Sequence, residues 1–215
     1  MIRIGLFVGA VRFPVGFLSL ALAVTLCEAA AASAQTDYSG DQWRHGTTLN
    51  VSGGAASASS EAGAVVGAAV GWEIKPWLAV EGGGSWLDRE KGAEAFAAEL
   101  TALIGLRRAS PVTPFVEGGF GLYRASFDLS QGPPPGFYGR RLATPSNITS
   151  TVSFTDPSFI VGIGLNVFVT PHLALRPDIG VRLVRRDSQS YVVSALMVHL
   201  AYHFEEHPTA ARPTW

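Results

Sequence analysis

The residues best equipped for chemistry are His199 and His203, with Ser194 five positions upstream and carboxylates at Glu73, Glu81, Glu99, Glu117 and Asp178. A serine beside an imidazole suggests a nucleophile and its base, and two imidazoles near Glu73 suggest metal ligation. Both readings depend on the backbone that carries them. In a strand, side chains alternate between faces, so Ser194 and His199, an odd number of residues apart, point in opposite directions. His199 and His203 share a face, but four residues of strand hold them roughly 13 Å apart. Gly162-Ile163-Gly164 and Gly118-Gly119-Phe120-Gly121 match phosphate loops in composition only. No helix follows either, and close strand packing accounts for the glycines. Neither catalysis nor a bound cofactor or metal is expected.

The element around the histidines carries more information. From Tyr191 to Phe204, Val192, Ser194, Leu196, Val198, Leu200, Tyr202 and Phe204 fall on one face, and Tyr191, Val193, Ala195, Met197, His199, Ala201 and His203 on the other. Seven earlier segments alternate in the same way: Trp43–Ser57, Ala62–Ile74, Trp77–Asp88, Glu94–Arg108, Pro114–Phe127, Ser158–Val169 and Leu173–Arg185. The alanines and glutamates of Glu94–Arg108 also suit a helix. Its strict alternation over eleven residues favours a strand. Away from the strand ends, the charged residues oppose the apolar face. They are Arg44, Glu73, Glu81, Glu99, Arg107, Glu117, Arg176, Asp178 and Arg182, joined by His199 and His203.

An even number of antiparallel strands can close into a barrel and leave no open edge. The connections alternate in kind. Those holding Pro76, Pro111 and Pro171 are short, whereas the others are charged or long, the longest running from about Ser130 to Pro157. Short turns at one end and longer loops at the other are the pattern of a transmembrane barrel, with Trp43, Trp72, Trp77, Phe168, Tyr202 and Phe204 near the short-turn end. Trp86, Tyr123, Phe127 and Tyr191 fall near the other end, and two lipid-interface belts are expected.

Composition and the N-terminus agree. The chain is 47% hydrophobic and 15% charged. After residue 34 no apolar run is long enough for a spanning helix, whereas a barrel hides its apolar content by alternation. Arg3 and Arg12, the apolar stretch Phe13–Leu26 and the small residues Ala32-Ser33-Ala34 read as a signal peptide over residues 1–34. A lead-in (35–42), the barrel (43–204) and a tail (205–215) follow. Cys27, the only cysteine, lies in the leader, so no disulfide is expected in the mature protein. Without Arg3, Arg12 and Glu28, the 16 basic and 17 acidic residues become 14 and 16. That balance gives no field to attract nucleic acid.

The signal peptide, the turn and strand Val169-Thr-Pro-His-Leu-Ala-Leu-Arg-Pro-Asp178 and the closing strand Tyr191–Phe204 resemble the small eight-stranded outer-membrane barrels of the OmpA/OmpX type. The resemblance spans essentially the whole mature chain and implies an all-β, eight-stranded antiparallel up-and-down transmembrane β-barrel in the bacterial outer membrane. It also implies that a terminal aromatic, here Phe204, is read by the barrel-assembly machinery. This chain departs from the family pattern in that Glu205–Trp215 follows Phe204.

With lipid outside, the charged faces line the lumen. Five acids, four arginines and two histidines nearly balance, and an eight-stranded interior is just wide enough to be filled by side chains. An ion-paired, occluded lumen is expected, since a lone buried charge is costly. The expected role is structural or surface-interacting in the cell envelope. The alternatives are a narrow porin-like channel for small or hydrophobic solutes and a soluble periplasmic ligand-binding barrel. Arg89, Lys91, Arg140, Arg141, Arg185 and Arg186 are expected to project outward, where they would meet lipopolysaccharide phosphates. The loop 130–157 could engage an external partner, as loops of such length are often functional.

Overall fold

The computed structural model describes residues 46–58, 61–75, 77–89, 92–106, 111–140, 142, 151–186 and 189–205. The leader assigned to 1–34, the lead-in 35–42, Trp43, Arg44, Lys91, Arg107, Arg141 and the tail beyond Glu205 lie outside these residues.

Eight strands follow in order: β1 (Gly46–Ala58), β2 (Glu61–Lys75), β3 (Leu78–Arg89), β4 (Ala93–Gly105), β5 (Val112–Asp128), β6 (Thr151–Thr170), β7 (Leu173–Arg186) and β8 (Gln189–His203). Each pairs antiparallel with the next, and β8 returns to β1, so the sheet closes as an up-and-down barrel. A 12-residue strand such as β3, tilted as barrel strands are, rises roughly 30 Å, enough to cross a hydrocarbon core.

Register keeps the faces apart, because directly paired residues point the same way. Leu200 lies opposite Val51 on one side and Leu175 on the other, all three exposed. Across β6 the exposed set is Phe159, Val161, Ile163 and Val169, with Val161 63% exposed. A continuous apolar band therefore faces outward, the reverse of a water-soluble barrel, and it suits lipid. The band ends where the outer face turns charged, at Asp88, Glu94, Arg124 and Arg185. At the opposite rim it ends in Trp72, Tyr202 and Phe204.

Two expectations change. First, Tyr123, Phe127 and Tyr191 do not belong to a lipid belt. They point inward and are at most 4% exposed, and Phe168 is likewise inward. Of that outer group Trp86 remains on the lipid face, opposite the exposed Phe96. Second, β6 starts at Thr151 rather than Ser158, and its pairing with β5 continues to Asp128↔Thr151. The alternating Thr151-Val152-Ser153-Phe154-Thr155 is thus strand, and the long connection ends about seven residues earlier than its composition suggested.

That connection also turns inward. Asp128 starts it as an Asx turn: its carboxylate accepts hydrogen bonds from the Ser130 amide (2.9 Å), the Ser130 hydroxyl (2.7 Å) and Gln131 Nε2 (3.1 Å). Pro133–Pro135 hold the chain extended into a single helical turn, α1 (Gly136–Gly139), whose Phe137 and Tyr138 are buried.

Candidate functional site: the lumen and its lid

The inner face is built from side chains of opposite parity to the apolar band, and it is layered. At the short-turn end, His203 Nδ1 lies 3.3 Å from Glu73 Oε1, and the His203 ring packs on Phe168. His172 in the adjoining turn bonds through Nδ1 to the His203 carbonyl at 2.8 Å and stacks on Tyr202. The barrel seam closes beside them, where the Phe204 amide donates to the Thr47 carbonyl at 3.0 Å and the Thr47 amide to Glu205 Oε2 at 2.7 Å.

Above this layer the lumen is crossed by a two-pronged ion pair. Arg176 Nη1 and Nη2 donate to Glu81 Oε1 and Oε2 at 2.6 and 2.8 Å. Asn50 Nδ2 adds a third donor to the same carboxylate at 3.0 Å. This fork-to-fork geometry is the strongest arrangement available to an arginine and a carboxylate. Arg176 Nη2 also lies 3.2 Å from His199 Nδ1, while His199 Nε2 lies 2.7 Å from Asp178 Oδ2. A guanidinium can only donate, so His199 Nδ1 is the acceptor of the first contact, and the ring turns Nε2 toward Asp178. Higher still, Arg182 pairs with Glu99 and lies over the Tyr123 ring, 5.7 Å from its centroid.

Cavities lie on both sides of the Glu81–Arg176 pair. One, of about 90 Å³, is lined by Glu99, Glu117, Asp178, Arg182 and His199 as well as the pair itself. The other, of about 50 Å³, lies toward Glu73, Lys75, Phe168 and His203. Glycines make room for this polar filling. At Gly162 an added Cβ would overlap the Glu117 carboxylate, 2.9 Å from its Cγ and 3.0 Å from its Cδ.

Toward its outer end the lumen is lined mainly by apolar side chains, with the buried Asp156 beside them. Val65, Leu87, Ala95, Ala97, Val184 and Val193 line it, and an aromatic lid covers it. Tyr138 is fully buried, with ring centroids 4.9 Å from Phe127, 5.3 Å from Phe154 and 5.3 Å from Tyr191. Phe137 stacks on Tyr191 at 5.6 Å.

The structure therefore brings Glu73, Glu81, Glu99, Glu117, Arg176, Asp178, Arg182, His199 and His203 to one interior. Ser194 lies on the outer face and is separated from both histidines. Among the described residues no group of three or more His, Cys, Asp and Glu side chains could hold a metal ion. The basic residues expected to project divide. Arg185 is exposed on the outer face. Arg140 is exposed, with Nε donating to the Gly136 carbonyl at 3.0 Å. Arg89 ends β3, its side chain outside the described residues, as are Lys91 and Arg141. Arg186 does not project free: it has the inward parity of Val184 and its Nη1 lies 3.1 Å from the buried Asp156. Arg124, which the sequence reading left out, is exposed on the outer face just above the apolar band. The lid was also missed, although Tyr191 shares the parity of His199 and Tyr123 that of Glu117.

No curated protein matches this chain. Among solved structures it is similar to Neisserial surface protein A, with 18% identity and a TM-score of 0.56 over 74% of this chain and 97% of that one. It is also similar to the N-terminal β-barrel domain of Pseudomonas aeruginosa OprF, with 11% identity and a TM-score of 0.49 over 73% of this chain and 97% of that one. The profile of the outer membrane protein beta-barrel domain matches residues 19–204. With a closed eight-stranded barrel and that match over most of its length, the chain belongs to the outer membrane protein beta-barrel domain family.

Proposed function

We propose that this protein is a non-conducting barrel of the bacterial outer membrane with a structural or surface-interaction role, its lumen occluded by an ion-paired network. The observation that carries this reading is the buried fork between Arg176 and Glu81, which lies across the lumen between the two cavities. Glu99–Arg182, Asp178–His199 and Glu73–His203 fill the levels around it, and the aromatic lid covers the outer end. Arg44 and Arg107 complete the network by parity with these residues.

The same reading assigns no catalytic role, because Ser194 faces away from His199. Arg185 and Arg140, with Arg89, Lys91 and Arg141, contact lipopolysaccharide phosphates at the outer rim, and Arg124 joins them. Arg186 is committed instead to Asp156. The α1 connection and the emergent β5–β6 hairpin form the surface for an external partner. Phe204, 57% exposed at the periplasmic rim, is the aromatic offered to the barrel-assembly machinery.

Planar-bilayer recording of the purified barrel tests the occlusion. No single-channel steps are expected, and Arg176→Ala introduces them. Steady conductance by the unaltered protein would favour the narrow-pore reading instead.

A further inference from the structure

The larger cavity is unbalanced in charge. Four carboxylates line it, and three have partners: Glu81 is held by Arg176, Glu99 by Arg182 and Asp178 by His199. His199 accepts from Arg176 through Nδ1, so it adds no positive charge in that tautomer. Glu117 has no ion pair or hydrogen bond among the described residues. It lies over Gly162 and Gly180, where missing side chains leave a bay for its carboxylate. A carboxylate so enclosed is neutralised by a proton or by a cation beside it.

A second, independent group points into the same space. Ser85 is only 8% exposed, lines the cavity and has a buried hydroxyl with no hydrogen-bond partner. The remaining wall is of a different kind: Val65, Leu87, Val193 and Met197 give it an apolar side beneath the lid. The chamber thus sets four carboxylates against the two arginines Arg176 and Arg182, with Glu117 and Asp178 left without a cationic partner, and adds one free hydroxyl and an apolar roof.

We infer that this chamber binds a small organic cation, an alkylammonium with only a few carbons. Its charge rests on Glu117, whose carboxylate takes its N–H groups, and its alkyl part lies toward Leu87 and Met197. An anion is disfavoured by the excess of carboxylates. A divalent metal ion would need more oxygen ligands than Glu117 can supply and would leave the apolar roof unused. A volume of about 90 Å³ limits the guest to a handful of heavy atoms. Phe137 and Tyr138, packed in one cluster with Val65, Leu87 and Val193 and carried on a single helical turn rather than on a strand, mark the way in.

The test uses the full-length barrel in detergent micelles, titrated with n-butylammonium chloride and followed through the Met197 methyl signal by NMR. Saturable shifts are expected, with butanol and sodium butyrate at least tenfold weaker. Glu117→Gln should weaken butylammonium at least tenfold while keeping heat-modifiable gel migration, and Tyr138→Ala should speed uptake and release. If Glu117→Gln fails to fold, Gly162→Ala, which crowds the same carboxylate, carries the test with the same tenfold expectation. Absence of saturation, equal response to butanol and butylammonium, or undiminished affinity in the variant that folds would overturn the inference. Bilayer conductance is a separate readout, so the binding site and the occluded lumen stand or fall independently.

Discussion

Arg176 and Glu81 meet across the interior although 95 residues separate them in sequence, with a guanidinium nitrogen on each carboxylate oxygen. Both side chains are at most 7% exposed. The pair is therefore desolvated, and its worth depends on keeping both halves. Removing one leaves the other charge buried alone, which typically costs about 3–5 kcal/mol, whereas replacing both by apolar groups of similar volume is often neutral. Arg176→Ala should accordingly destabilise the barrel strongly in urea unfolding from lipid vesicles, and Glu81→Leu with Arg176→Met should recover most of the loss. A double variant as unstable as the single one would mean that the pair itself, and not the avoidance of an orphan charge, supplies the stability.

The lid predicts a different signature. Tyr138→Ala removes a fully buried ring from contact with Phe127, Phe154 and Tyr191. Truncating buried aromatics costs about 3–5 kcal/mol in compact cores. Here the loss should fall mainly on the loop, since the strands below keep their pairing. Limited proteolysis should find new cleavage between Leu129 and Leu142 while the heat-modifiable band survives. Cleavage no faster than in the unaltered protein would contradict the inward docking of α1.

Lipid exposure can be graded along a single strand. Val161 and Thr155 both lie on the outer face of β6, Val161 within the apolar band and Thr155 beside Arg124. Arginine on a barrel's lipid face costs about 2–4 kcal/mol at the bilayer midplane and about 0–1 near the interface. Val161→Arg should thus make folding into vesicles less favourable by more than about 2 kcal/mol, and Thr155→Arg by less than about 1. Equal costs would mean that the band is misplaced.

At Gly121 the backbone of β4 leaves no space. A Cβ there would overlap the Ala98 carbonyl oxygen and stand 2.8 Å from the Glu99 Cα, and backbone cannot swing aside as a long side chain can. Gly121→Ala should cost about 1–3 kcal/mol. Gly118→Ala, whose nearest atom is 4.0 Å away, should be close to neutral. Chemical unfolding of the two variants side by side separates a packing requirement from a general intolerance of substitution in β5.

The periodic part of this fold was legible because alternation is a local signal. Once Leu196, Val198 and Leu200 are placed on one face, the inward position of His199 and His203 follows by parity. Partners were less legible. Parity could gather eleven ionisable residues into one interior, but could not show that Arg176 takes Glu81 while Glu117 takes none, because that depends on register and barrel stagger. The aromatic lid was hidden for another reason. Tyr123, Phe127 and Tyr191 had the inward parity, but rings near strand ends suited an interface belt equally well. Phe137 and Tyr138 lie among glycines and prolines, where no periodicity reports burial. Asp156 and Arg186, which meet only because β6 extends beyond its expected start, were concealed for the same reason.

The seam between β1 and β8 has a consequence in time. The hydrogen bond from Thr47 to Glu205 joins residues 158 positions apart, and the neighbouring Phe204 amide closes on Thr47 as well. Every other strand pair joins sequence neighbours, so the hairpins can assemble locally while the seam bears the largest loop-closure entropy. Until it forms, β1 and β8 each present a bare edge carrying an apolar face, a template for pairing with other chains. Closure is thus the commitment step of biogenesis, and the protein's most vulnerable interval lies between synthesis of its last strand and the meeting of that strand with its first.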